Sequence, residues 1–237
     1  MKTIFKLLTL VTLITCFNCN NSSQIDYKYA EKPNLLACDL PDENLLKEAV
    51  YSFENDIVNT YDMQNRNIAK SYSNFINFKQ RGRLNIKTIA SEHSLNIAKI
   101  LKEKTNLWVT ENGITSLNNS NTLINCIAKN IKDKSINTTY NALLSTNSFE
   151  PRLILPLLSG NSRHIQVDGA LKTHVAMAFF YSELLDVNLE ELTNPNPKTP
   201  VEPATPALNG IDLNKTPSKT APVKTSTRPG HEGHNHD

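Results

Sequence analysis

Glycine is scarce in this sequence, and signatures of nucleotide binding and hydrolysis are missing. Before residue 194 the glycines are Gly82, Gly113, Gly160 and Gly169. So few glycines argue against phosphate-binding loops and against a turn-rich β-sandwich. No Walker, dinucleotide-binding or Gly-x-Ser-x-Gly motif occurs. The formal net charge is +2, which gives no reason to expect nucleic acid as a partner. We therefore expect a helical protein that is not an enzyme.

The main continuous apolar run lies at the N-terminus. Lys2 and Lys6 flank the start of a mostly apolar stretch from Leu7 to Ile14. About ten such residues make a helix of about 15 Å, which is half the thickness of the hydrocarbon core of a bilayer. A basic start followed by a short apolar run is typical of an export signal. We expect residues 1–15 to be removed as a signal peptide.

The end of this run resembles the acylation site of bacterial lipoproteins. Leu13-Ile14-Thr15-Cys16 is similar to a lipobox, although Thr15 stands where that motif usually has Gly, Ala or Ser. Cys19 is the alternative acylation site, and its preceding residues fit less well. Several acyl chains, palmitate among them, anchor a protein stably without a transmembrane helix. The expected location is the cell envelope, on the periplasmic face of the outer membrane.

Composition divides the rest of the chain. Residues 16–38 begin with a polar stretch and are interpreted as a tether, and residues 39–193 as a helical domain. Residues 194–237 hold eight of the twelve prolines among Thr, Lys, Ser and Ala. Such a segment buries too little apolar surface to offset its ordering entropy, so a disordered tail is expected.

Apolar residues recur at helical spacing along residues 39–193. Such stripes bury their apolar faces only against one another, so the sequence predicts an all-α fold, an irregular antiparallel bundle of about six helices. We expect Asp168 to cap the last helix and Gly82 to end the second. The stripes begin near Leu46, Ile68, Ile86, Leu123, Tyr140 and Leu171, with a short apolar piece after Pro151 that is interrupted at Pro156.

Two cysteines and two histidines lie in this helical region. Cys38 and Cys126 either form a disulfide, contributing on the order of 4 kcal/mol by the loop-entropy model, or remain two buried thiols. Spacing alone does not decide between these states. His93 and His174 fall on apolar stripes, so we expect both to be partly buried with hydrogen-bond partners. Glu-x-x-His pairs, the usual signature of metal-binding bundles, are missing from these helices.

The tail ends in a histidine-rich sequence. His231, His234 and His236 are close enough to bind a borderline divalent ion, in the order Cu(II), then Ni(II) or Zn(II). A resident metal needs ligands held in place by their surroundings, which a disordered tip lacks. We expect no cofactor, and metal delivery by these histidines is the alternative function.

Two stretches of the helical region, together with the histidine-tipped tail, resemble a known family. The segments 46–57 and 90–95 are similar to uncharacterised lipoproteins of flavobacteria and their relatives in the Bacteroidota. This resemblance implies the lipid anchor and the helical organisation, and it implies no activity. We expect a binding or scaffolding module with an exposed aromatic groove near Trp108 or Phe179 and Phe180. The expected partners are the bilayer and a protein of the cell envelope.

Mass spectrometry of the native protein tests the expected anchor. We expect the mature chain to begin at an acylated Cys16, or at Cys19 if the less favoured site is used. An unmodified chain that begins at Met1, or a mature end at neither cysteine, would contradict the lipoprotein interpretation.

Overall fold

The computed structural model describes residues 25–193, and this part of the chain is mostly helical. The helices are α1 (Glu43–Tyr61), α2 (Ile68–Gln80), α3 (Ile86–Ile89), α4 (Glu92–Glu103), α5 (Thr122–Asn130), α6 (Lys134–Ser145), α7 (Pro151–Gly160), α8 (Ser162–Ile165), α9 (Gly169–Val175), α10 (Ser182–Leu185) and α11 (Leu189–Thr193). The strands are β1 (Trp108–Glu111) and β2 (Ile114–Leu117). The helices pack on one another around α1 and the helical run that starts at α9, and the two-stranded hairpin is inserted between α4 and α5.

Helix α1 is the central element of the core. Its apolar stripe is fully buried from Ala49 to Ile57, as the helical spacing predicts. The Phe53 ring packs against the rings of Tyr72 and Phe75 on α2, at centroid distances of 5.8 and 4.9 Å. The same ring lies 5.0 Å from Phe180, so α1 joins the second helix to the last long one.

The last long helical run is continuous but changes its winding. It passes from α9 through a π-helical segment, Ala176–Tyr181, into α10. Asp168 Oδ1 accepts hydrogen bonds from the backbone N–H groups of Ala170 and Leu171, which confirms its predicted role as the cap. In a π-helix each N–H bonds five residues back instead of four, which widens the turn.

Two helix boundaries differ from the sequence analysis. The single stripe from Ile86 is split into α3 and α4, because Ala90 is extended and Ser91 caps α4 by accepting a hydrogen bond from Ser94 N–H. Helix α7 continues through Pro156, where an interruption was expected. The predicted stop at Gly82 is confirmed, since this residue has a φ of +62° after the end of α2.

The structure contains a hairpin that the sequence analysis does not predict. Trp108 pairs with Leu117, and Glu111 with Ile114, in antiparallel register. Asn112 and Gly113 have φ values of 53° and 77°, the two positive angles that a type I′ turn requires. An Asn-Gly pair is the strongest short sequence signal for a hairpin turn, so the sequence does contain a signal for this turn. The two strands, however, have only four residues each, which is too short for a clear alternation of apolar and polar residues.

The described residues that precede α1, 25–40, pack on the helices instead of forming a free tether. We call residues 25–40 the N-terminal strap. Its backbone N–H groups at Lys28 and Tyr29 donate to the buried Glu48 carboxylate at 2.8 and 2.9 Å. The expected tether of residues 16–38 is therefore corrected for residues 25–38, which belong to the folded part of the chain.

The C-terminal half of the strap is attached at two more places. Cys38 forms a disulfide with Cys126 on α5, with a Cα–Cα distance of 6.1 Å. The backbone of Leu35 crosses Gly169 so closely that an added Cβ would lie 2.0 Å from the Leu35 carbonyl oxygen. Only glycine at the start of α9 permits this approach.

Within residues 25–193 no helix is both long and apolar enough to cross a membrane.

A buried ion pair connects α1 to α9. Lys172 Nζ lies 2.8 Å from Glu54 Oε1, and the two side chains are only 13% and 8% exposed. The Tyr72 hydroxyl donates to the same carboxylate oxygen at 3.0 Å. Removing one member of such a pair leaves an uncompensated buried charge, which costs more than the pair contributes.

This asymmetry predicts the result of a double-mutant experiment. Lys172→Met should lower the free energy of unfolding by about 3 kcal/mol, because Glu54 then keeps a buried charge without its cation. Adding Glu54→Gln removes that charge and preserves an acceptor for Tyr72, so the double variant should be more stable than Lys172→Met. Urea unfolding checks the order. A double variant that loses the sum of the two single effects would show that the two residues do not interact.

Candidate functional sites

An open groove of about 560 Å³ lies between the N-terminal strap and α4. Its polar lining contains both signs of charge and one amide, and Ile25 and Ile100 supply the apolar part. We call it the strap groove. Its polar lining residues are Asp26, Lys28, Glu92, His93, Asn96 and Lys99.

His93 is held in this groove by a buried carboxylate. His93 Nε2 lies 2.6 Å from Glu48 Oε1, and the Glu48 side chain is 1% exposed. Glu48 also accepts the two strap N–H groups, so one carboxylate positions both walls of the groove. A buried carboxylate needs such partners, because an unpaired charge is very costly away from water.

A second polar cluster supports the base of α4. Asp56 is 2% exposed and accepts a hydrogen bond from Ser91 N–H at 3.0 Å. Burial raises the pKa of the Asp56 carboxyl, and hydrogen bonds from Ser94 and Ser91 oppose that shift. The hydroxyls of Ser52 and Ser94 lie 2.6 Å apart and join α1 to α4. These contacts fix the helix that carries His93 and Asn96.

His174 occupies a different, closed environment. It is 1% exposed, and the rings of Tyr140, Phe149 and Phe179 surround it at centroid distances of 5.3 to 5.5 Å, all near perpendicular. Its Nδ1 lies 3.1 Å from the Tyr140 hydroxyl. Its Nε2 has no hydrogen-bond partner among the described residues. Burial lowers the pKa of His174 to about 3, so the imidazole is neutral at physiological pH.

The candidate residues named from sequence have different outcomes. Cys16 and Cys19 lie outside the described residues, as does the tail segment 231–236 with its three histidines. Within residues 25–193, no group of three or more His, Cys, Asp or Glu side chains is placed to hold a metal ion.

The expected aromatic groove is wrong, because its residues belong to the core. Trp108 is 8% exposed and donates from its indole N–H to the Leu101 carbonyl at 2.7 Å, and Phe179 and Phe180 are fully buried. The residues that form the sites instead are Glu48, Tyr140 and Asn96, which sequence reasoning missed as site residues.

The two predicted histidines are buried to different degrees and have unexpected partners. His93 pairs with Glu48 and His174 with Tyr140, two partners that the sequence analysis does not name. Such pairings depend on residues that are 34 and 45 positions apart, so helical spacing carries no signal for them.

Comparison with models of protein families, with curated proteins and with solved structures finds no match for this chain. The proposed function therefore depends on the residues of the two sites.

The neutral His174 predicts a pH dependence of stability. Above its ordinary pKa of 6.5 the imidazole is uncharged in both the folded and the unfolded chain, so stability has its full value. Below pH 6.5 only the unfolded chain takes up the proton, because the folded pKa is about 3. The free energy of unfolding should therefore fall by about 1.4 kcal/mol per pH unit within this window.

The measurement compares urea unfolding of the wild type and His174→Gln between pH 7 and pH 3.5. The difference between the two chains isolates this residue from other titrating groups. We expect the variant to lose the His174 part of the slope. Parallel pH profiles would show that His174 is not held neutral by the fold.

Proposed function

We propose that this chain is a lipid-anchored binding protein of the bacterial cell envelope, and that the strap groove binds its polar partner close to the membrane. The observation that carries the proposal is the attachment of the N-terminal strap to Glu48, since it holds Ile25 and Asp26, the described residues nearest in sequence to Cys16, at one wall of the groove.

The length of chain between the anchor and the groove supports a position near the bilayer. Eight residues separate Cys16 from Ile25. At 3.3–3.6 Å per residue, even a fully extended chain spans at most about 30 Å between them. An acylated Cys16 would therefore keep the groove within about 30 Å of the lipid surface, about the thickness of the hydrocarbon core.

The groove chemistry favours a ligand with charges of both signs. Lys28 and Lys99 line the groove together with Asp26 and Glu92. A ligand that carries free amino and carboxylate groups finds opposite charges for both among these residues, and complementary charges give orientation and specificity. The stem peptides of the cell wall have this chemistry and share the compartment that the signal sequence indicates. We infer that a peptide fragment of the cell wall is the ligand.

A substitution that blocks the groove tests this proposal. Asn96 is exposed on α4 and lines the groove, so Asn96→Arg fills it without disturbing the core. Using the mature chain in detergent micelles and soluble muropeptides as the probe, we expect saturable binding by calorimetry. The variant should bind at least about tenfold more weakly, which corresponds to a loss of about 1.4 kcal/mol.

A matched control separates the groove from general effects of added charge. Asn125 is an exposed asparagine on α5 that does not line the groove, so Asn125→Arg adds the same charge elsewhere. This control should bind as the wild type does. An absence of binding to the wild type, or equal weakening in both variants, would remove the support for the groove as the binding site.

A further inference from the structure

A small cavity of about 50 Å³ lies between β2 and the π-helical segment, and it shares no lining residue with the strap groove. We call it the His174 cavity. Phe149, Phe179 and Ile124 form apolar walls, and Ser116 and Asn119 add polar groups. Asn119 is exposed and Ser116 is half-buried, so the polar side of the cavity is its rim. Apolar walls with a few placed polar groups are typical of a ligand pocket.

The hydrogen bond between the Tyr140 hydroxyl and His174 Nδ1 determines which ring nitrogen of His174 carries the hydrogen. If the Tyr140 hydroxyl donates to Nδ1, the neutral imidazole carries its hydrogen on Nε2 and only that N–H is left without a partner. The reverse arrangement would leave both the buried tyrosine O–H and Nε2 unsatisfied. Each unsatisfied buried group costs about 1–3 kcal/mol, so the first arrangement is favoured. His174, one of the residues that line this cavity, therefore carries an N–H donor that no described residue pairs.

The size of the cavity limits what the donor can bind. An enclosed water requires about 10–15 Å³, so this space admits about four non-hydrogen atoms. The ligand group must include an acceptor for the Nε2 hydrogen, and it must be uncharged and partly apolar to suit the aromatic walls. At the rim, Asn119 uses its side-chain N–H to bond the Phe149 carbonyl at 3.1 Å. Among the described residues no donor is paired with its carbonyl oxygen, which is therefore an available acceptor.

We propose that the His174 cavity binds an acetamido group, CH3–CO–NH–. The carbonyl oxygen accepts the hydrogen bond from His174 Nε2, and the methyl group packs against Phe149 and Phe179. The amide N–H donates to Asn119 at the rim. An acetamido group is carried by N-acetylated amino sugars and by N-acetylated amino acids, and the cavity holds only the part that the two share.

Solution NMR of the full mature chain in detergent micelles, with ¹⁵N-labelled histidine, tests this assignment. Without ligand, the ¹⁵N spectrum of His174 should show that Nε2 is protonated and that Nδ1 is not. N-acetylglucosamine should shift the Nε2 resonance saturably. Glucosamine is the matched control, because it is the same sugar without the acetyl group, and it should leave the resonance unchanged.

Three variants check that the shift comes from this cavity. Ala178 lines the cavity, so Ala178→Leu fills it and should abolish the shift. Asn119→Leu, at an exposed position, removes the acceptor for the ligand together with the bond to the Phe149 carbonyl, and should weaken binding at least about fivefold. Asn125→Leu on α5 is the control and should bind normally. If Ala178→Leu fails to fold, Asn119→Leu and its control decide the question.

A parallel titration with N-acetylglycine separates the two sources of the group. Shifts with both ligands support recognition of the acetamido group itself. A shift with only one ligand supports the proposal and assigns the ligand to sugars or to acylated amino acids. The proposal is overturned by no shift with either ligand, by an equal shift with glucosamine, or by a bare Nε2 in the free protein. In those cases the cavity holds at most an enclosed water.

Discussion

The fold depends on the satisfaction of three buried carboxylates on α1. Glu48, Glu54 and Asp56 are 1%, 6% and 2% exposed, and each requires partners from other parts of the chain. A buried charge without partners costs several kcal/mol, whereas an apolar contact tolerates small shifts in register. The carboxylates therefore specify which segments lie against α1, while the apolar stripe supplies most of the favourable burial.

Together the three carboxylates connect α1 to four neighbouring segments, the strap, α2, α4 and α9. Glu48 binds the N-terminal strap and His93 on α4, and Asp56 binds the backbone at the start of the same helix. Glu54 binds α2 through Tyr72 and α9 through Lys172. The strap groove is a consequence of this arrangement, because the strap and α4 are both positioned by Glu48. Stability and the proposed binding function thus depend on the same buried side chain.

The two sites use histidine in opposite ways. His93 lies beside a carboxylate in an open, charged groove. His174 is enclosed by aromatic rings, and burial keeps its pKa far below the ordinary range. An imidazole that stays neutral keeps the same N–H donor across the physiological pH range, and the proposed acetamido ligand supplies the acceptor for it. The wide π-helical turn contributes Ala178 and Phe179 to the walls of the same cavity.

Local patterns in the sequence determined the helical class of residues 25–193, the cap at Asp168 and the stop at Gly82, because helical spacing, capping and positive φ depend on a few neighbouring residues. The Asn112-Gly113 pair is also a local signal for the turn, but the four-residue strands beside it are too short for their residue pattern to indicate the hairpin. The tertiary structure alone decided the partners of His93 and His174, the path of the strap and the Cys38–Cys126 pairing. The histidine pairings and the disulfide join positions 34 to 88 residues apart, and whether such groups meet depends on how all the helices pack together.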